Sequence, residues 1–247
     1  MNAEQITIRA FRAVDDKLRC ARYLMEHLRV LDEIGVTSVV LPEIDWCVDP
    51  NVVVVVAEHP TLDMVAGMRL HLSPGTSGLP MERSLAKIDG TVPGRIAGLD
   101  LGERAEIAGL WNAHRFAGRG VPLLLISAGV ALAGQLGTRT LMCVAAEYVV
   151  PWTTRVGFKE IAEIGEKGVF AYPLGDMRSH AMSIRDLTAL MDADDRERHR
   201  ILSLRLHPCQ RRSEKPKGRP LEVSYDVWLE GMSIGRNGDP LREHWAA

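Results

Sequence analysis

The sequence predicts an α/β fold with a C-terminal extension, and three stretches carry that prediction. Residues 104–158 read as a strand (105–113), a glycine turn (Gly118-Arg119-Gly120), a mostly apolar helix (121–133), a second strand (140–146) and a short helix ending at Gly157-Phe158. Upstream, residues 52–57 begin with five consecutive valines, the pattern of a strand buried on both faces. A turn at 59–63 returns this strand as 64–72, a β-hairpin. From about Ser179 the character changes. The 247 residues therefore divide into a domain of residues 1–178 and an extension of residues 179–247.

In chain order, Ile6-Thr7-Ile8 alternates apolar and polar and reads as a short first strand. Asp15 or Asp16 can cap a helix running to Gly35, with Leu18, Ala21, Leu24, Met25, Leu28 and Leu31 on one face. Residues 73–103 are rich in Gly and Pro, with one short helix at 81–88; so long a loop in a compact domain suits a functional flap or a disordered stretch. Residues 158–164 and 168–173 read as a last hairpin, turning at Gly165-Glu166-Lys167-Gly168. In the extension, Ile184, Leu187, Leu190 and Met191 keep helical spacing, and a second helix covers 196–206. Residues 208–220 are polar, basic and proline-bearing, the composition of a linker or exposed loop, and 221–229 read as one more strand.

Composition is that of an ordinary globular chain: 46% hydrophobic, 25% charged, net charge −2. Nothing in that balance points to nucleic acid or an anionic membrane. The N-terminus has no apolar segment of the signal-peptide kind, and the longest apolar run, 121–133, is shorter than the about 20 residues a membrane span needs. Cys20, Cys47, Cys143 and Cys209 lie far apart with no C-x-x-C pair, which fits reduced packing thiols in a cytoplasmic protein. No metal site is expected, and the eight histidines show no ligand spacing.

A strand entering a glycine turn that opens a helix presents bare backbone N–H groups at a positive helix end, a seat for phosphate. Arg115-Phe116-Ala117-Gly118-Arg119-Gly120 fits the pattern R/Q-x-x-G-x-G/A. A second register, starting at Ala117, suits the helix better and places Pro122 at the last glycine. In order and spacing this stretch resembles the acyl-thioester-binding half of the GNAT N-acyltransferase superfamily, including its ending at Gly157-Phe158. That resemblance implies a mixed, mostly antiparallel central sheet flanked by helices. It also implies that Gly118, Arg119, Gly120 and Val121 hold the pyrophosphate of coenzyme A, and that backbone near Trp111, Asn112 and Ala113 contacts the pantetheine arm and the thioester oxygen. The co-substrate would be acyl-CoA, acetyl-CoA or an acyl-phosphopantetheine, with no metal. The tyrosine that the superfamily uses to protonate the leaving thiolate falls at Trp152 or Thr153; Tyr148 is the nearest phenol.

A second set of residues narrows the resemblance. Glu43-Ile44-Asp45-Trp46-Cys47-Val48-Asp49, the valine strand, Gly67-Met68-Arg69-Leu70 and Ala105-Glu106-Ile107 follow one another in an order similar to that of acyl-homoserine-lactone synthases and N-acyl amino acid synthases. Those enzymes show an E-x-D-x-x-D loop, a valine-rich strand, a G-x-x-R-L strand and an E-[IV]-S-R strand. Glu43, Asp45 and Asp49 match the acidic loop, with one extra residue before Asp49. Arg69 and Glu106 match the strand arginine and carboxylate, and Gly109 stands where a second arginine is expected. Leu79-Pro80-Met81-Glu82 resembles a further shared loop. The resemblance implies acyl transfer to the amine of a small molecule such as an amino acid. Carboxylates of Glu43, Asp45 and Glu106 would bind and deprotonate that amine, and Arg69 would grip a substrate carboxylate or brace the acidic loop. An acetyl-CoA N-acetyltransferase and a catalytically silent thioester- or partner-binding GNAT domain are the alternatives.

Gly231-Met232-Ser233-Ile234-Gly235 spells a hydrolase nucleophile elbow, but the turn residues after it do not open a helix. The basic stretch 196–219 reads as a solvated face, or as a landing patch for an acyl-carrier protein. A homodimer stays open.

Overall fold

The computed structural model describes residues 4–36, 44–73 and 78–230. Its strands are β1 (Glu4–Arg12), β2 (Val52–His59), β3 (Asp63–Leu72), β4 (Arg104–Asn112), β5 (Thr140–Ala146), β6 (Lys159–Glu160), β7 (Val169–Ala171), β8 (Arg178–Ile184), β9 (Cys209–Glu214) and β10 (Leu221–Asp226). The helices are α1 (Lys17–Glu33), α2 (Pro80–Ala86), α3 (Val92–Ala97), α4 (Val121–Gln135), α5 (Val150–Arg155) and α6 (Asp195–Leu206). The strands form one sheet in the order β6-β8-β5-β4-β3-β2-β1-β10-β9, with β7 also on β8. Pairing is antiparallel except for β4 with β5 and β1 with β10. This is the mixed, mostly antiparallel sheet flanked by helices that the resemblance implies.

The layering follows from side-chain alternation. In β2, Val53, Val55 and Ala57 join the core under α4, while Val52, Val54 and Val56 join the cluster under α1. A strand covered on both faces has no use for polar residues, hence the valine run. Helix α4 lies between the sheet and α6 and is buried almost all round, so its sequence is apolar all round.

The buried face of α1 is Cys20, Tyr23, His27 and Leu31, while Leu18 and Met25 are 70% and 69% exposed. The aliphatic stripe is not the inward stripe, because the pocket beneath α1 is filled by aromatic and imidazole rings. The glycine- and proline-rich stretch holds two helices, α2 and α3. Leu79, Met81, Leu85, Val92 and Ile96 pack there with Met142, Ile164 and Phe170 as a third apolar cluster. The last hairpin does not form: β6 and β7 both pair with β8, which supplies a longer partner than either gives the other. Residues 184–191 are the end of β8 and turns rather than a helix.

Residues 208–220 are not a linker. They include β9, which pairs with β10, and β10 lies beside β1. A division at 178 falls at the first residue of β8, and the residues after it continue the same sheet. A buried ionic network fastens this part. Arg200 is 1% exposed and reaches Glu214 through Nη2 (2.8 Å) and Glu197 through Nη1. Glu197 also accepts from Arg155 (2.6 Å), and Glu214 from Arg212 (2.9 Å). Helices α5 and α6 and strand β9 therefore share one set of charges. The Gly231–Gly235 motif and Glu43 lie outside the described residues.

Candidate active site

Two central strands part to make the site. β4 and β5 pair in parallel from Arg104↔Thr140 to Ile107↔Cys143, and the register stops there. Beyond it β5 stays with β8 as far as Ala146↔Ser179, while β4 turns towards β3. The turn is a bulge: Gly67 pairs with Trp111 and Arg69 with Ala108, so β4 carries one extra residue there. Gly109 sits in it at φ 58°. A cavity of 330 Å³ opens at this splay. Its walls are Ile107, Ala108, Gly109 and Leu110 on one side and Cys143, Val144, Ala145 and Ala146 on the other, with Ile126 of α4 beneath.

Register sets what meets at one end of the cavity. Val54, Arg69 and Ala108 form one cross-strand row and Val52, His71 and Glu106 the next, so Arg69 and Glu106 share a face. Glu106 is 2% exposed. Its Oε2 accepts the N–H of Met81, 2.8 Å away in the first turn of α2. That turn is the Leu79-Pro80-Met81-Glu82 motif: Glu82 accepts from Leu79 N at 2.9 Å and pairs with Arg104 at 3.0 Å. Burial pushes the Glu106 carboxyl up to about 8, against the lowering pull of the Met81 N–H and the nearby arginines. Such a group can take a proton near neutral pH.

Arg69 is 9% exposed and lies over the Trp46 ring, 4.6 Å from its centroid. Its Nε has no hydrogen-bond partner among the described residues. The acidic loop thus meets Arg69 through the indole of Trp46. Asp45 is exposed and does not line the cavity, and Asp49 accepts the N–H of Asn51 at 2.8 Å, closing a turn. Of the predicted acceptor-side residues, the fold brings Arg69 and Glu106 together and leaves Asp45 apart.

Gly109 explains the missing arginine. A Cβ there would lie 2.7 Å from Tyr23 Oη and 3.0 Å from Arg69 Nη2. Tyr23 Oη donates to the Gly109 carbonyl at 2.5 Å. The guanidinium of β3 thus occupies the space over β4. Gly109→Ala adds a left-handed backbone penalty to that clash, and urea unfolding should show a loss of about 1–3 kcal/mol.

The donor-side residues divide. Trp111 is buried against Tyr23, ring centroids 5.9 Å apart, and faces α1. Asn112 Nδ2 donates to Ala113 O (3.1 Å), and Ala113 N donates to Val65 O (2.9 Å). The bulge carries 111–113 away from the cavity, so the wall is 107–110 instead. Arg115 is a brace, donating to Glu26 (2.9 Å) and Met64 O (2.8 Å). Gly118 (φ 79°) and Gly120 (φ 75°) make the turn, and Val121 opens α4. Arg119 pairs with Glu4 and lies over Phe116, 4.2 Å from its centroid. Thr153 is buried and donates to Val150 O (3.0 Å), whereas Tyr148 is 76% exposed at the cavity edge.

Sequence reasoning missed His27, Arg83 and Ser84, which line the same cavity as Arg69 and Glu106. Burial, with the Arg69 charge beside it, pushes His27 down to about 4, so it is neutral. The signal was the spacing of Tyr23 and His27 with Cys20 and Leu31, a polar-aromatic stripe hidden beside the aliphatic one. Among the described residues no group of His, Cys, Asp and Glu could hold a metal ion. No helix of the described residues is long and apolar enough to cross a membrane.

No family model matches this chain, and no curated protein sequence does. Solved structures do. FeeM, an N-acyl amino acid synthase from uncultured soil microbes, aligns at TM-score 0.52 with 11% identity, over 78% of this chain and 95% of that chain. MesI, a CoA-dependent acyl-homoserine lactone synthase, aligns at 0.53 with 16% identity, over 80% and 94%. BjaI, a second CoA-dependent acyl-homoserine lactone synthase, aligns at 0.52 with 15% identity, over 79% and 89%. The fold is that of GNAT-type acyltransferases. Within it, the chain resembles the N-acyl amino acid and acyl-homoserine lactone synthases.

Proposed function

We propose that the protein is an N-acyltransferase that moves an acyl group from a phosphopantetheine thioester to the amine of a small molecule such as an amino acid. The observation that carries this reading is the cavity at the β4–β5 splay with Glu106 and Arg69 at one end. The open strand edges suit a pantetheine arm, which pairs like a short strand. The amine nitrogen attacks the thioester carbonyl, the C–N bond forms, and the C–S bond breaks. Glu106 as carboxylate takes the amine proton, directly or through water, and the thiolate leaves with a proton from Tyr148 at the cavity edge or from solvent. Arg69, with Arg83 and Lys87 on the same lining, makes this end positive, which favours an acceptor that also carries a carboxylate.

The donor is acyl-CoA or an acyl-carrier protein, and the basic stretch 196–219 would be the carrier's landing surface. Within that stretch Arg198, Arg200 and Arg212 already have carboxylate partners, so Arg211, Lys215, Lys217 and Arg219 would carry the contact. Thermal unfolding with acetyl-CoA, a long-chain acyl-CoA and an acyl-carrier protein tests the reading. A donor at about 100 times its Kd should stabilise by roughly 2.7 kcal/mol. Absence of any shift with all three would overturn it.

A further inference from the structure

We infer that the tip of the β9–β10 hairpin, Lys215-Pro216-Lys217, selects the donor at its phosphate end, admitting a phosphopantetheine arm with one phosphate and excluding the nucleotide of CoA. This rests on the acyltransferase reading above.

Three independent features of the turn before α4 point the same way. First, the helix has few amides to offer. Pro122 in its first turn has no N–H, and Leu123 N already donates to Gly120 O at 3.2 Å, which leaves Val121. Second, the cation of the turn is already engaged, since Arg119 lies on the Phe116 ring and pairs with Glu4 at the start of β1. Third, the hairpin tip lies on the turn itself. A Cβ on Gly120 would stand 2.8 Å from Pro216 Cβ and 3.2 Å from Lys217 Cγ, so those side chains touch the residue that caps the helix.

From there Lys217 reaches across to α5, its Nζ 5.1 Å from the centroid of the Trp152 ring. That indole, a ring on which a base could stack, is thereby capped by the ammonium. The tip is held by built structure: the β9–β10 ladder runs to Glu214↔Leu221, Gly218 N donates to Lys215 O at 3.4 Å, and Arg196 donates to the same carbonyl at 3.3 Å. What remains is one helix amide, the loop amides of 118–120 and the Lys217 ammonium. That set matches a single phosphate. A diphosphate with its nucleoside would have to displace both Pro216 and Lys217.

The test compares one acyl chain on four donors: CoA, 4′-phosphopantetheine, unphosphorylated pantetheine and a carrier protein. Wild type should show kcat/KM for acyl-phosphopantetheine at least 10-fold above acyl-CoA and above acyl-pantetheine. A Pro216→Gly/Lys217→Ala variant should raise acyl-CoA use at least 5-fold. Lys217→Met keeps the bulk without the charge, so it should erase the preference for phosphopantetheine over pantetheine while still disfavouring CoA. If the carrier-bound donor matches or exceeds free phosphopantetheine, the arm comes on a protein; if only the free form is used, it comes as a small molecule, and either result supports the selector. Equal or better use of acyl-CoA by wild type overturns the inference and leaves the acyltransferase reading standing. No turnover and no thermal shift with any donor overturns both.

Discussion

Glu106→Gln is expected to lower kcat/KM for acyl transfer by about 10²–10⁴-fold, the usual contribution of a positioned general base. Wild-type kcat/KM should rise with pH through a midpoint near 8, and the variant should lack that limb. Glutamine keeps an oxygen to accept the Met81 N–H and the volume of the side chain, so the anchor of α2 survives and only the proton chemistry is removed. Stability provides a separate check. Because burial raises this carboxyl, the folded protein retains a proton that the unfolded chain loses between 4.5 and about 8, so Glu106 makes wild type less stable as pH rises across that window. The variant cannot ionise there and should lose less stability than wild type over the same range. Unchanged turnover with the altered pH–stability curve would reduce Glu106 to a helix anchor.

Arg200→Ala is expected to destabilise the fold by about 3–5 kcal/mol, a fall in Tm of roughly 6–20 °C. Removing the guanidinium leaves Glu197 and Glu214, 0% and 3% exposed, without their shared cation. Burial alone would raise the Glu214 carboxyl; Arg200 and Arg212 outweigh it and hold the group below its ordinary value. That stabilisation is present above the unfolded carboxylate value and disappears as pH falls through the lower folded one. The variant should therefore differ most from wild type at neutral pH and converge on it in acid. Chemical denaturation at two pH values measures this. A loss under about 1 kcal/mol at neutral pH would mean that the network contributes little beyond what packing supplies.

How far the sequence is readable depends on whether a residue's chemistry matches its environment. The valine run, the apolar α4 and the glycine turn are locally consistent with their places in the fold, and their elements emerge from periodicity alone. Arg69 and Glu106 could be paired from sequence only through family resemblance, because their meeting depends on cross-strand register. The bulge at Gly109 was hidden for the same reason: an absent arginine looks like a loss until the neighbouring strand is seen to supply one. Arg200 and Glu214 read as surface charge, since a buried ion pair and a solvated one have the same letters. β9, with the sequence CQRRSE, shows no apolar alternation because an edge strand can leave most of its side chains in water.

The parallel pairing of β1 with β10 bears on how the chain is made. Glu4 through Arg9 find their outer partners at Leu221 through Asp226, so one edge of the sheet stays open until nearly all of the described chain has been synthesised. β1 must wait beside β2 with its other edge unpaired, and the closing step carries the largest loop entropy in the fold. Late, non-local closure of this kind slows folding and exposes a strand edge to neighbouring nascent chains. The same strand pair that carries the hairpin tip to the turn before α4 is thus the last part of the sheet to assemble. A chain released from the ribosome before β10 would hold the splayed pair β4 and β5 without the hairpin tip proposed to choose a donor.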